Sequence, residues 1–226
     1  MKLIITGTSR GIGKALLALA LKQGHEVLSI SRSKTTLSTD TSSNWVEILG
    51  DLTDEDLYNK VKDELEKWKS LDCMINNAGF LVSKPFEELS YKDVKRSFDV
   101  NFYGPLRLTQ LCLPYLKESR NASHINIGSI GGVQGSLKFP GLSVYSSSKG
   151  ALAMLTECLA EEYKDSAIHF NCLALGAVQT EMLEQAFPGY NAPYTPDQMA
   201  YYILSFIESS SPMMNGKIIT VSASTP

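Results

Sequence analysis

Apolar residues in this chain fall into short runs that alternate with helical periods almost to the end. Leu3-Ile4-Ile5 reads as a strand, and from Ile12 the apolar positions recur at Ala15, Leu16, Leu19 and Ala20, a helical spacing closed by Gly24. Val27-Leu28-Ser29-Ile30 reads as a second strand. A stretch rich in Ser, Thr and Asp over 33–44 reads as a surface loop, and Trp45 to Leu49 as a third strand closed by Gly50-Asp51. A charged amphipathic helix is predicted from Asp54 to Lys69. A fourth strand, Leu71 to Ile75, runs into Asn76-Asn77-Ala78-Gly79. One long helix follows from about Ser90 to Leu116, with a bend expected near Gly104-Pro105 or Pro114. His124 to Ile127 reads as strand five, 128–143 as a Gly/Ser-rich loop and Val144 to Tyr163 as a helix. Ile168 to Leu173 reads as strand six and Lys217 to Val221 as a last strand.

Strands separated by helices predict the α/β class: a doubly wound parallel sheet with right-handed crossovers and helices on both faces. There is no internal repeat and no linker, so residues 1–226 are expected to form one domain. Ligands of such sheets bind beyond the carboxyl ends of the strands. Gly7, Asp51, Asn76 and Ser129 each fall just after a predicted strand and so converge on one edge.

The first of these turns has the chemistry for a dinucleotide. Thr6-Gly7-Thr8-Ser9-Arg10-Gly11-Ile12-Gly13 lies between a strand and a helix. Glycines let a pyrophosphate approach the backbone, and the helix start offers free N–H groups. The spacing is Gly-x-x-x-Gly-x-Gly rather than Gly-x-Gly-x-x-Gly, and a turn without a ligand is the plainer alternative. Further on, Tyr145 and Lys149 stand four apart and share a helix face. An ammonium beside a phenol is expected to lower its pKa from about 10 and make it a usable proton donor. An exposed helix face with no chemistry fits the same spacing.

Composition narrows the field without adding chemistry. The 226 residues are 43% hydrophobic, enough for one proper core, and the net charge of −3 favours no partner. No basic patch suggests nucleic acid, and no apolar run reaches the ~18 residues that span a membrane. A start directly on a core strand leaves no room for a signal peptide, which predicts a cytoplasmic protein. Cys73, Cys112, Cys158 and Cys172 lie in apolar segments without pairing motifs and are expected to be buried free thiols. His25, His124 and His169 are too scattered to predict a metal site.

Taken in order, these motifs resemble the short-chain dehydrogenase/reductase family over nearly the whole chain, which implies a Rossmann-type fold. Thr6-Gly7-x-x-x-Gly11-x-Gly13 resembles its cofactor loop, Asp51 its adenine-side acid and Asn76-Asn77-Ala78-Gly79 its Asn-Asn-Ala-Gly signature. Asn101, Ser129, Tyr145 and Lys149 resemble its catalytic tetrad. The resemblance implies cofactor contacts from Gly7, Ser9, Arg10, Gly11, Ile12 and Gly13, and from Arg32, Asp51 and Leu52. It implies others from Asn77, Ala78, Gly79, Tyr145, Lys149, Gly176, Val178 and Thr180. In that reading Tyr145 gives the proton and Ser129 hydrogen-bonds the carbonyl oxygen. Lys149 lowers the tyrosine pKa and binds the nicotinamide ribose, and Asn101 holds a water. Ser143 and Ser146 to Ser148 rival Ser129 by type only.

An acidic residue after the second strand would select NAD. Here Ser31-Arg32-Ser33 stands instead, with no carboxylate until Asp40. Arg32 and Arg10 suit a 2′-phosphate, or merely sit in solvent; the expectation is NADP(H) over NAD(H).

The chain also departs from the family. The loop between Ser129 and Tyr145 is slightly long and carries Lys138-Phe139-Pro140. Gly128 stands where a serine is frequent, Leu175-Gly176 replaces Pro-Gly, and the final strand lacks Asp-Gly-Gly. A short lid is expected at about 181–196, where Met182, Leu183, Phe187, Tyr190 and Tyr194 either line a pocket or pack the lid down. The function implied is reversible hydride transfer to a small ketone, aldehyde or 3-oxoacyl substrate. A nucleotide-binding sensor or scaffold without turnover is the alternative. A carrier-protein substrate would want basic residues near the site, for which Lys84, Arg96 and Lys138 are candidates. Apolar residues on the helices near 90–116 and 144–163 could build a homodimer or homotetramer, though a core face reads the same.

Overall fold

The computed structural model describes residues 1–37, 43–210 and 213–223, so Asp40 and Ser224 lie outside the described residues. In chain order the elements are β1 (Lys2–Thr6), α1 (Gly11–Lys22), β2 (Glu26–Ser31), β3 (Trp45–Leu49), α2 (Glu55–Trp68) and β4 (Cys73–Asn76). Next come α3 (Tyr91–Phe98), a π-helical turn (Asp99–Tyr103), α4 (Gly104–Leu116), β5 (Ala122–Ser129) and α5 (Ser143–Glu162). The chain closes with β6 (Ile168–Leu175), α6 (Glu181–Ala186), α7 (Pro196–Ser205) and β7 (Lys217–Val221). The strands form one sheet in the order β3-β2-β1-β4-β5-β6-β7, every pair parallel.

β1 shows why the sheet is covered on both faces. Leu3 and Ile5 point to one side, Ile4 to the other, and all three are fully buried. Leu3 and Ile5 pack with Leu16 and Leu17 of α1 and Ile203 and Leu204 of α7. Ile4 packs with Val61 and Leu65 of α2, Leu108 and Cys112 of α4, and Phe170 of β6. The chain leaves β1 towards β2 and β3, then returns to place β4 on the other side of β1. That reversal opens a crevice at the carboxyl ends of β1 and β4, where such sheets take their ligands.

The structure adds detail to the expected elements or alters them in four places. The long helix is interrupted by the π-helical turn just before Gly104-Pro105, one of the two places where a bend was expected. Strand five runs on to Ser129, which therefore ends a strand rather than opening a loop. The helix α7 was not expected, although its start is written in the sequence: Thr195 and Gln198 form a capping box around Pro196. Cys158 is exposed, because it faces away from the sheet on α5, while Cys73, Cys112 and Cys172 are buried and free. Among the described residues, no helix is long and apolar enough to cross a membrane.

Candidate active site

The glycine turn is shaped by contacts that only glycines allow. Gly7 has φ +75°, and its N–H donates to Ile30 O at 2.7 Å. A Cβ on Gly13 would stand 2.2 Å from Gly7 O, so α1 can start against the turn only without a side chain there. Arg10, the residue before α1, makes no side-chain cap, and the first turn of the helix carries no acid. Its first N–H groups therefore lack helical acceptors and meet the crevice, which fits a dinucleotide pyrophosphate.

The turn after β4 is tied to the turn after β1. Thr6 Oγ1 accepts from Asn77 N at 3.0 Å and Ala78 N at 2.9 Å, and Asn77 Nδ2 donates to Thr6 O at 2.9 Å. The Asn77 side chain is thus part of the framework, and it is the backbone of 77–79 that borders the crevice.

Asp51, one residue past Gly50, is held in place by Arg96 of α3. The guanidinium donates through both Nη atoms to the two carboxylate oxygens. Thr53 adds its N–H at 3.1 Å and its hydroxyl at 2.9 Å to Oδ1. Burial disfavours the Asp51 carboxylate, but these hydrogen bonds outweigh it and hold its pKa below the ordinary value. Arg96 stood out in the sequence only as a candidate for a carrier-protein surface, not as the partner of Asp51. It lies 45 positions from Asp51, and no local motif marks that contact. Arg10 and Arg32 are exposed at the same end of the crevice.

At the other end lie the tetrad candidates. Ser129 closes β5, and Tyr145 and Lys149 stand one turn apart on α5. Burial raises the Tyr145 phenol pKa, and the neighbouring Ser129 side chain opposes the rise. The expected lowering by Lys149 is not what the structure shows. The lysine ammonium is buried and donates to Ile127 O at 2.8 Å, and burial pushes its own pKa down to about 8. Asn101 sits in the π-helical turn, fully buried. Its Oδ1 accepts from Phe80 N at 2.8 Å, and its Nδ2 donates to Phe80 O at 2.8 Å and Ser148 Oγ at 2.9 Å. A Cβ on Gly79 would lie 3.7 Å from Asn101 Oδ1 and 3.7 Å from Lys149 Nζ, so the glycine leaves a hollow between the two.

Every residue that the sequence assigned to the dinucleotide, together with Ser129, borders this one crevice, and Asn101 lies just behind it. Gly176 N donates to Val221 O at 2.9 Å, and a Cβ there would meet Ser222 Oγ at 2.3 Å. Thr180 Oγ1 accepts from Leu183 N at 3.2 Å and caps α6. Phe139, Leu142 and Phe187 border the crevice as well. The sequence marked Phe139 as part of a long loop and Phe187 as a lid residue, and Leu142 carried no signal.

Residues 2–191 match the family model described as short chain dehydrogenase. An L-fucose dehydrogenase of Mus musculus is 32% identical over 187 residues, 80% of this chain and 67% of that protein. Among solved structures, the 3-ketoacyl-(acyl-carrier-protein) reductase of Brucella melitensis complexed with NADH superposes with a TM-score of 0.87 at 22% identity, covering 97% of this chain and 96% of that one. ElxO with NADP bound superposes with a TM-score of 0.85 at 25% identity over 97% and 96%.

Proposed function

The chain belongs to the short-chain dehydrogenase/reductase family, NAD(P)-dependent oxidoreductases acting on CH–OH and C=O groups, and from that premise we propose that it is an NADPH-dependent reductase of small carbonyl compounds. The observation that carries this reading is that Ser129, Tyr145 and Lys149 border one crevice together with the glycine turn, with Tyr145 and Lys149 one helical turn apart. When bound, the dinucleotide supplies the hydride, or takes it up in the reverse direction. Tyr145 delivers its hydroxyl proton to the carbonyl oxygen as negative charge develops there. Ser129 donates a hydrogen bond to the same oxygen and so stabilises that charge. Lys149 reaches the ribose hydroxyls from the crevice floor. Asn101 fixes the hollow through which a water can return a proton to Lys149.

The NADP(H) preference rests on the end of β2. Ile30, Ser31 and Arg32 border the crevice there, and none is acidic. The Asp51 carboxylate is occupied by Arg96, which leaves Arg10 and Arg32 as the charges available to a 2′-phosphate. Structural neighbours hold NADH as well as NADP, so the preference is a property proposed for this chain's own residues. Residues 1–226 act as one dinucleotide-binding and catalytic domain, with 181–196 as its substrate lid. The protein works in the cytoplasm as a homodimer or homotetramer.

The test is a parallel titration with NADPH and NADH followed by nicotinamide fluorescence, with Tyr145→Phe beside the wild type in turnover. Tight NADPH, weak NADH and a Phe variant that binds but does not reduce carbonyls are expected. Tighter NADH would overturn the cofactor preference, and equal turnover in the Phe variant would overturn the role given to Tyr145.

A further inference from the structure

The walls beside Ser129 and Tyr145 come from two segments, the loop 133–142 between β5 and α5, and α6 with the turn after it. Phe139 and Leu142 line the crevice from the first; Met182, Leu183, Ala186 and Phe187 line it from the second. All six are apolar. The segments touch through Phe139 and Phe187, whose rings meet edge to face with centroids 5.5 Å apart and planes at 74°. Met182 Cε reaches within 3.7 Å of the space that a Gly79 Cβ would fill, so the thioether closes over the floor beside Lys149.

The Thr180 hydroxyl and the basic groups that the sequence pointed to near these walls are already engaged. The Thr180 hydroxyl caps α6. Glu181 is exposed, and its Oε2 lies towards the glycine turn, 3.7 Å from the space of a Gly11 Cβ. Lys138 folds back onto its own loop, donating to Val133 O at 2.7 Å and Ser136 O at 3.1 Å. Lys84 is paired with Asp93 at 2.8 Å, and Arg96 with Asp51. The three cations that the sequence offered for a carrier-protein surface therefore each have a partner. A carboxylate or phosphate entering between these walls would be buried without one, which is costly.

We propose that the substrate is an uncharged carbonyl compound bearing an aromatic or alicyclic ring next to the C=O, with the ring seated between Phe139 and Phe187. This rests on the reductase reading above. The carbonyl carbon gains a hydride, two electrons with one hydrogen, from the reduced dinucleotide. The oxygen gains the Tyr145 proton, the C=O π bond is replaced by C–H and O–H bonds, and the dinucleotide is left oxidised. Free small molecules, rather than carrier-borne or ionised ones, fit these walls. Parting Phe139 from Phe187 to admit a ring replaces one aromatic contact with two.

The test uses a matched pair: ethyl benzoylformate, and benzoylformate, the same ketone as a free carboxylate. With NADPH, or NADH if that proves the cofactor, kcat/KM should favour the ester by about 100-fold or more. Saturation-transfer NMR on the protein with oxidised cofactor reads binding without turnover and should show the same order. Phe139→Ala and Phe187→Ala should weaken the ester by about 3- to 10-fold, and should weaken it more than they weaken an open-chain aliphatic ketone. If Phe187→Ala does not fold, Phe187→Leu keeps the apolar wall without the ring and should shift the two ketones in the same sense. Equal or better use of the carboxylate, or binding of neither compound, overturns the proposal. Preferential binding of the ester without hydride transfer supports the ligand class and sinks the reductase reading instead.

Discussion

Replacing Lys149 with Met should make the protein inactive and, near neutral pH, more stable. The lysine is 3% exposed, and its ammonium has one hydrogen-bond acceptor, Ile127 O at 2.8 Å. Burial takes its pKa from an ordinary 10.5 to about 8. At 1.36 kcal/mol per tenfold, holding that group charged in the folded protein at pH 7 costs about 3 kcal/mol. Met removes the cost but leaves the Ile127 carbonyl unpaired, a penalty of about 1–2 kcal/mol. The net gain expected at pH 7 is therefore about 1–2 kcal/mol. The pH dependence isolates the charge from everything else. Between about 8 and 10.5 the unfolded chain keeps the proton that the folded chain has lost. Wild-type stability therefore rises with pH across that window, and the Met variant lacks the rise. The gap between the two should narrow by about 1 kcal/mol from pH 7 to pH 9. Urea titrations of both proteins at the two pH values measure it directly. A gap that is constant, or that widens, would refute the account of Lys149 as a buried, charge-strained group.

Asn101→Ala strips partners from the Phe80 N–H, the Phe80 carbonyl and Ser148 Oγ at once. Denaturant unfolding should show a loss of about 2–5 kcal/mol, and a change below 1 kcal/mol would contradict the network. Gly13→Ala places a methyl against the Gly7 carbonyl, backbone that cannot swing aside; loss of dinucleotide binding and a melting temperature lower by several degrees are expected, and unchanged fluorescence titration would count against the turn as described. Arg32→Asp should weaken NADPH by about 10-fold or more with little change for NADH, and a parallel fall in both affinities would assign the choice to another residue.

Much of the fold was legible because its signals are local. The step from Ile5 through the glycines to Ile12 fixes a strand, a turn and a helix within ten residues, and Tyr145 and Lys149 meet through helical spacing alone. What escaped depends on contacts made after folding. Asp51 and Arg96 are brought together by the packing of α3 beside the end of β3, and neither flank hints at the other. The direction of the Tyr145 shift is not legible in the sequence, because spacing reports proximity but not where an ammonium points. Lys149 turns to a strand carbonyl, and burial then dominates both groups. Cys158 shares its apolar sequence context with the three buried cysteines, yet its phase on α5 turns it outward. The start of α7 does carry a local signal, the capping box written as Thr195-Pro196-Asp197-Gln198.

The π-helical turn at Asp99–Tyr103 sets the angular phase of everything on either side of it. Gly104 N donates to Asp99 O, five residues back rather than four. In an evenly wound α-helix, residues five apart differ by about 140° around the axis. Arg96 and Asn101 are five apart; one reaches Asp51 and the other meets Phe80 and Ser148. The wide turn changes that angle, so it helps fix which way Asn101 faces relative to Arg96. Removing one residue from it would restore even winding and turn one of these side chains by about 100°, so this segment can vary in composition far more readily than in length.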